Sequence, residues 1–140
     1  MTKRTEITPE QMKRAAQALR ENPVAQMVGM HLTDMQPMEA TITVEMRDEL
    51  RQPHGVLHGG ITATLIDTAM AFAVITCLGE NERASTVSLT VNYLRPHTQG
   101  GFRCTARVVR AGKRIFTLSA DVFNEEGKLI ANAVSTYTKM

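Results

Sequence analysis

The stretch from Gly59 to Leu78 constrains the fold more than any other. Ile61, Ala63, Leu65, Ile66, Ala69, Met70, Ala71, Phe72, Ala73, Val74, Ile75 and Leu78 leave no polar face at helical spacing. A helix that is apolar all round must be covered all round. About 20 apolar residues would also span a bilayer. Asp67 inside the run and Gly59-Gly60 at its start argue instead for a helix buried in protein.

What covers the helix follows from the flanking patterns. Ala40 to Met46 alternates small or polar with apolar residues, and Thr86 to Tyr93 alternates strictly, the period of strands with one wet face. Strand-like runs follow over Phe102 to Arg110, Arg114 to Phe123 and Lys128 to Thr138. The short turns between them, Ala111-Gly112-Lys113 and Asn124 to Gly127, imply antiparallel hairpins. With a strand starting near Met30, the reading is an α+β fold: five or six antiparallel strands curled around one long helix. Thr8 to Leu19 has a cap residue, then proline and early acids, and predicts a leading helix that Asn22-Pro23 interrupts. Residues 47–58 read as a loop.

The 140 residues fit one domain, with 1–26 as a helical lead-in and 27–140 as the core. Hydrophobic residues at 43% and charged residues at 21% place the chain among globular proteins. A net charge of +2 gives no reason to expect nucleic acid. The polar start from Met1 to Glu10 lacks a secretory signal, so a cytoplasmic location is expected. Cys77 and Cys104 fall in apolar patterns and are expected to be buried free thiols. His31, His54 and His97 lack ligand spacing, so surface or loop roles are expected, with no metal and no cofactor.

Chemistry concentrates in Gln52 to Asp67. Gln52-Pro53-His54-Gly55-Val56-Leu57-His58-Gly59-Gly60 runs straight into the apolar helix. Amides at a helix start lack internal partners, and glycines there let a ligand approach the backbone. A carbonyl oxygen gaining negative charge would be stabilised at such a spot. Two glycines alone fit tight loop packing equally well. Asp67 adds weight, because a carboxylate among Ile66, Ala69 and Met70 is costly to bury unless bonded or used. Asp67 lies eight residues beyond Gly59, about 12 Å along a helix. If both act on one carbonyl, they come from different subunits, which predicts a two-fold dimer with two equivalent sites.

The run Gly55-Val56-Leu57-His58-Gly59-Gly60, with Asp67 nine residues after His58, resembles the hotdog-fold acyl-CoA thioesterases of the phenylacetate-pathway type. Val91-Asn92-Tyr93-Leu94-Arg95-Pro96 and Gly112-Lys113 extend the likeness over roughly residues 27–140. The resemblance implies a long helix wrapped by an antiparallel sheet, dimers joined sheet to sheet, and a dimer of dimers. It implies acyl-CoA as substrate, with Asp67 as nucleophile or general base and the Gly59 N–H of the other subunit polarising the thioester carbonyl. His58 and Gln52 would position substrate and water, and Thr86 would assist the attacking water. Gly60, Tyr93, Arg95, Arg110 and Lys113 would bind substrate, the last two near the coenzyme A phosphates. Relatives often carry Asn where Gln52 stands and Glu where Asp67 stands, which blurs the substrate subgroup and the mode of attack.

Two other functions compete with hydrolysis. A non-catalytic acyl-CoA binding or sensing protein would keep the glycines and basic residues but would not need Asp67. A dehydratase or hydratase of the same fold would carry its acid and histidine in local motifs absent here. With 4% aromatic residues and no Trp, the sequence specifies no acyl pocket, although nine Met supply adaptable apolar surface.

Overall fold

In this computed structural model, which describes residues 6–140, the chain runs α1 (Pro9–Glu21), α2 (Pro23–Val28), β1 (His31–Gln36), β2 (Glu39–Val44), α3 (Gly59–Ile75), β3 (Ala84–Tyr93), β4 (Phe102–Ala111), β5 (Ile115–Asn124) and β6 (Leu129–Lys139). A single 3₁₀ turn, Asp48–Leu50, interrupts the loop read over 47–58. The strands form one antiparallel sheet in the order β1-β2-β4-β5-β6-β3, with α3 packed across it. The expected helix against an antiparallel sheet is what forms, with six strands.

Local chemistry sets the element ends. Thr8 accepts from the Gln11 amide while the Gln11 side chain accepts from the Thr8 amide, a reciprocal cap that starts α1. Asn22 then caps α2 through its side-chain oxygen, and Gly29, at φ 85°, ends it in a conformation that favours glycine. The core lies between α3 and the inward side chains of the sheet, including Ile42, Phe102, Cys104, Phe116, Leu118 and Val122.

Helix α3 departs from the sequence reading in two ways. It ends at Ile75 rather than Leu78: Thr76 donates its hydroxyl to the Ala73 carbonyl and accepts from the Met38 amide, and the Cys77 and Leu78 amides turn back to Val74 and Ile75. Nor is it covered all round. Leu65, Ile66, Ala69, Met70 and Ala73 face the sheet and are buried, whereas Gly60 and Ile75 are exposed and Ala63, Thr64, Asp67, Thr68 and Ala71 only half-buried. One sheet covers one side of a helix, and this stripe lies away from it.

Strand β3 forms an edge and pairs only with β6. None of its ten residues is buried. Its alternation is not strict either. Leu89 and Val91 pair with the inward-facing Ser135 and Ala133, but the register slips between Thr86 and Ser88, so Thr86 rather than Val87 pairs with the buried Tyr137. Val87 is the extra residue and stands 59% exposed. An unbroken strand would have put Thr86 on the outer face with Ser88 and Thr90; the bulge brings it inward.

Candidate active site

The loop before α3 is held from several directions. The Arg51 guanidinium donates to the Gly55 and Thr98 carbonyls, each at 2.7 Å, the Leu57 amide donates to the His97 carbonyl, and the His58 amide to that of Leu50. These bonds fix His58 as the cap of α3, where its Nδ1 accepts from the Gly60 amide at 2.9 Å. That bond leaves the proton of a neutral ring on Nε2, where it is a donor.

Each of the two glycines answers to a ring. A Cβ on Gly59 would lie 3.3 Å from the Tyr93 ring, and one on Gly60 would lie 3.1 Å from the His58 ring. The Tyr93 hydroxyl donates to the Gly59 carbonyl at 2.7 Å. Three of the first four amides of α3 are used: Ile61 and Thr62 donate to the His58 carbonyl and Gly60 to the His58 ring. Among the described residues the Gly59 amide has no partner. It sits at the positive end of a 17-residue helix.

Gly59 lines a cleft of about 400 Å³ with Gln52, Tyr93, Arg95, Thr62 and His97 among its walls. Gln52, Gly59, Tyr93 and Arg95, each singled out from sequence, are therefore brought together. Gln52 folds onto its own loop, its side-chain oxygen accepting from the His54 amide. His97 lies in the loop between β3 and β4, as the surface-or-loop expectation allows, but on its buried side. It is only 6% exposed, with Nε2 against the Gly100 carbonyl and its ring edge-on to Phe102. His31 and His54 are exposed, as expected.

Asp67 is elsewhere. Thr86 donates its hydroxyl to Asp67 Oδ1 at 2.8 Å, and the Tyr137 hydroxyl lies 2.7 Å from both Oδ1 and the Asp67 backbone carbonyl. Asp67 is half-buried, so its desolvation is partial and two hydroxyl donors offset it. Burial raises the Tyr137 phenol far above its ordinary value of 10; the hydrogen bond with Thr86 pulls it down and the one to Asp67 adds to the rise. The phenol keeps its proton and serves as a donor. Tyr137 escaped the sequence reading because it stands 70 residues away on the last strand, and a tyrosine in an alternating pattern carries no local mark of a partner.

The two clusters stand at opposite ends of β3. Tyr93 closes the end beside Gly59, while Thr86 occupies the end beside Asp67 in one row with Tyr137, Phe116 and Ala111. Arg110 and Lys113, both exposed, flank Ala111 at that second end. No single copy of the chain brings Gly59 and Asp67 together.

The thiols divide. Cys104 is buried, and burial, with Asp121 adding a little, raises it well above the ordinary 9. Cys77 is half-buried rather than buried, because α3 stops before it. Among the described residues, no helix is long and apolar enough to cross a membrane, and no group of three His, Cys, Asp or Glu could hold a metal ion.

Comparison with known proteins gives the family. A putative esterase of Haemophilus influenzae is 35% identical over 66% of this chain and 65% of its own length. The medium/long-chain acyl-CoA thioesterase YigI of Escherichia coli is 34% identical over 59% of this chain and 61% of its own. The chain thus spans somewhat under two thirds of these two relatives. The solved structure of the Escherichia coli PaaI protein, from the phenylacetic acid degradation operon, has the same fold: TM-score 0.83 at 23% identity over 91% of both chains. Residues 54–131 match the family model described as the thioesterase superfamily, and that segment, over half the chain, holds the capped glycines, Asp67, Thr86 and Tyr93; the chain belongs to the thioesterase superfamily.

Proposed function

We propose that the protein hydrolyses acyl-CoA thioesters to the free acid and coenzyme A, at sites shared between two copies of the chain. The observation that carries this reading is the pairing of a Gly59 amide without a partner among the described residues, at the start of α3, with Asp67, a carboxylate held through one oxygen eight residues further on.

In the reaction the thioester carbonyl points at the Gly59 amide, in the field of the helix start. A water beside Asp67 gives its proton to the carboxylate as its oxygen adds to the carbonyl carbon, and the carbonyl electron pair becomes an oxyanion held by that amide. Collapse of the tetrahedral species re-forms the C=O bond and breaks the C–S bond. The leaving thiolate takes the proton from Asp67, which returns to its starting state. Gln52 and the Nε2–H of His58 position ester and water, and Thr86 steadies Asp67. Gly60, Tyr93 and Arg95 line the entry, and Arg110 and Lys113 hold the phosphates.

Assembly through β3 makes the site whole. A ten-residue edge strand with no buried residue exposes a row of unpaired backbone groups, a surface that invites a second copy. Antiparallel pairing of β3 with itself, centred between Leu89 and Thr90, sets Thr86 opposite the partner copy's Tyr93, and with them Asp67 beside the other copy's Gly59. Two such dimers then form a tetramer. Light scattering coupled to size exclusion measures the mass directly.

The functional test is thiol release from a panel of acyl-CoA esters, wild type against Asp67→Asn. Because the Escherichia coli relative is named for medium- and long-chain acyl-CoA, straight chains of those lengths come first, then aryl esters. Turnover that falls by orders of magnitude in the variant, with the mass unchanged, supports the reading. Tight acyl-CoA binding without turnover of any ester replaces it with a binding protein. Single-turnover hydrolysis in ¹⁸O-water distinguishes direct from water-mediated attack: label entering Asp67 would make the carboxylate the nucleophile.

A further inference from the structure

We propose that Tyr137 is a positioning residue for Asp67: with Thr86 it occupies Oδ1, so that Oδ2 is the oxygen presented to the reacting atoms. The inference rests on the role given to Asp67 above and goes beyond it by assigning the two carboxylate oxygens different tasks.

A carboxylate offers two equivalent oxygens on a soft, two-fold terminal torsion, so an aspartate on a half-exposed helix face samples many orientations. Here the torsion is fixed from one side. Oδ1 accepts from Thr86 at 2.8 Å and lies 2.7 Å from the Tyr137 hydroxyl, and among the described residues Oδ2 has no donor. Tyr137 also reaches the Asp67 backbone carbonyl at 2.7 Å, so one hydroxyl contacts both the side chain and the main chain of the same residue.

The two donors differ in firmness. Thr86 lies on an exposed edge strand and reaches inward through a bulge. Tyr137 lies on β6, between β5 and β3, and is only 2% exposed. Its ring is the fixed support, and its retained proton makes it a donor throughout the working pH range. A buried phenol satisfied by any acceptor would have served stability equally well; this one is spent on the oxygen of a carboxylate in the proposed site.

The test is Tyr137→Phe, which keeps the ring and removes only the hydroxyl, assayed for thiol release on the ester the wild type turns over. Loss of a donor to a charged group predicts a kcat fall of about tenfold to a hundredfold. KM should stay within about twofold, and the acidic limb of the kcat profile should move to higher pH because the ionised carboxylate has lost a stabilising partner. A folded variant with unchanged kcat and an unmoved acidic limb overturns the proposal, as does a variant in which KM alone changes. A second measurement needs neither variant nor turnover. In ¹³C NMR of the wild type, the Tyr137 Cζ resonance should follow the ionisation of the Asp67 carboxyl, and a flat Cζ signal through that titration overturns the proposal. If no ester is hydrolysed, the thioesterase reading fails alone, and the NMR titration still decides the role of Tyr137.

Discussion

The Tyr93 ring lies so close to Gly59 that a single added methyl would meet it at 3.3 Å, while the same tyrosine's hydroxyl holds the Gly59 carbonyl at 2.7 Å. The position of the first peptide of α3, and of the amide proposed to face the oxyanion, is thus set by a side chain 34 residues away.

Gly59→Ala should therefore be relieved by a shift of a few tenths of an ångström between the Tyr93 ring and the helix start. A displacement on the order of 1 Å at a reacting centre costs about a hundredfold in rate, so this smaller one should cost less. Thiol release should fall by less than about a hundredfold with Asp67 and its two donors intact, and an undiminished rate would show that the Tyr93 contact does not set the position of the Gly59 amide.

Mixing two inactive variants tests the shared site. In a heterodimer of Asp67→Asn with Gly59→Val, one site carries both defects and the other carries neither. Statistical exchange of subunits should restore about a quarter of wild-type activity, from half the dimers with one working site each. Separate inactive parents and an inactive mixture, with exchange confirmed by mass spectrometry, would place Gly59 and Asp67 in one copy's site.

Alkaline pH should loosen the fold. Tyr137 and Cys104 both keep their protons in the folded state well above their ordinary values of 10 and 9. The unfolded chain therefore binds fewer protons there, and stability declines as pH rises through those ordinary values. Below them the contribution is fully present. Urea unfolding between pH 8 and 11 should show the decline, and Tyr137→Phe should make it shallower above pH 10.

Thiol labelling should separate the cysteines. With Ellman's reagent at pH 8 the native protein should react at Cys77 and spare the buried Cys104, and both should react in denaturant. Equal native rates would contradict the packing of β4 against α3.

Where local chemistry decides the outcome, the sequence was readable. The apolar run from Gly59, the Thr8 and Asn22 caps and the alternating strands anticipate the elements, and Gln52, Gly59, Tyr93 and Arg95 share one cleft. What escaped depends on contacts between distant segments. Tyr137 meets Asp67 only once β6 lies under α3, and the buried His97 is tied to Leu57 through its backbone and to Phe102 through its ring, the one distant in sequence and the other on another element. The half-open side of α3 could not be foreseen from apolarity, because a sequence states that a face wants cover and not how much of it one sheet reaches. Thr86 is the converse case: chosen by resemblance and found bonded to Asp67, it stands on a strand whose apparent alternation points it the wrong way.

That reversal has a consequence for substitutions along β3. The extra residue at Val87 acts as a phase inverter, so the inside-outside parity valid from Leu89 to Val91 is flipped at Thr86. Drawing Val87 into the ladder would leave every proposed site residue in the chain and still turn Thr86 outward, whereas deleting Val87 would remove the bulge and keep Thr86 opposite Tyr137. In this strand, the bond to Asp67 depends on an odd count as well as on the identity of the residues.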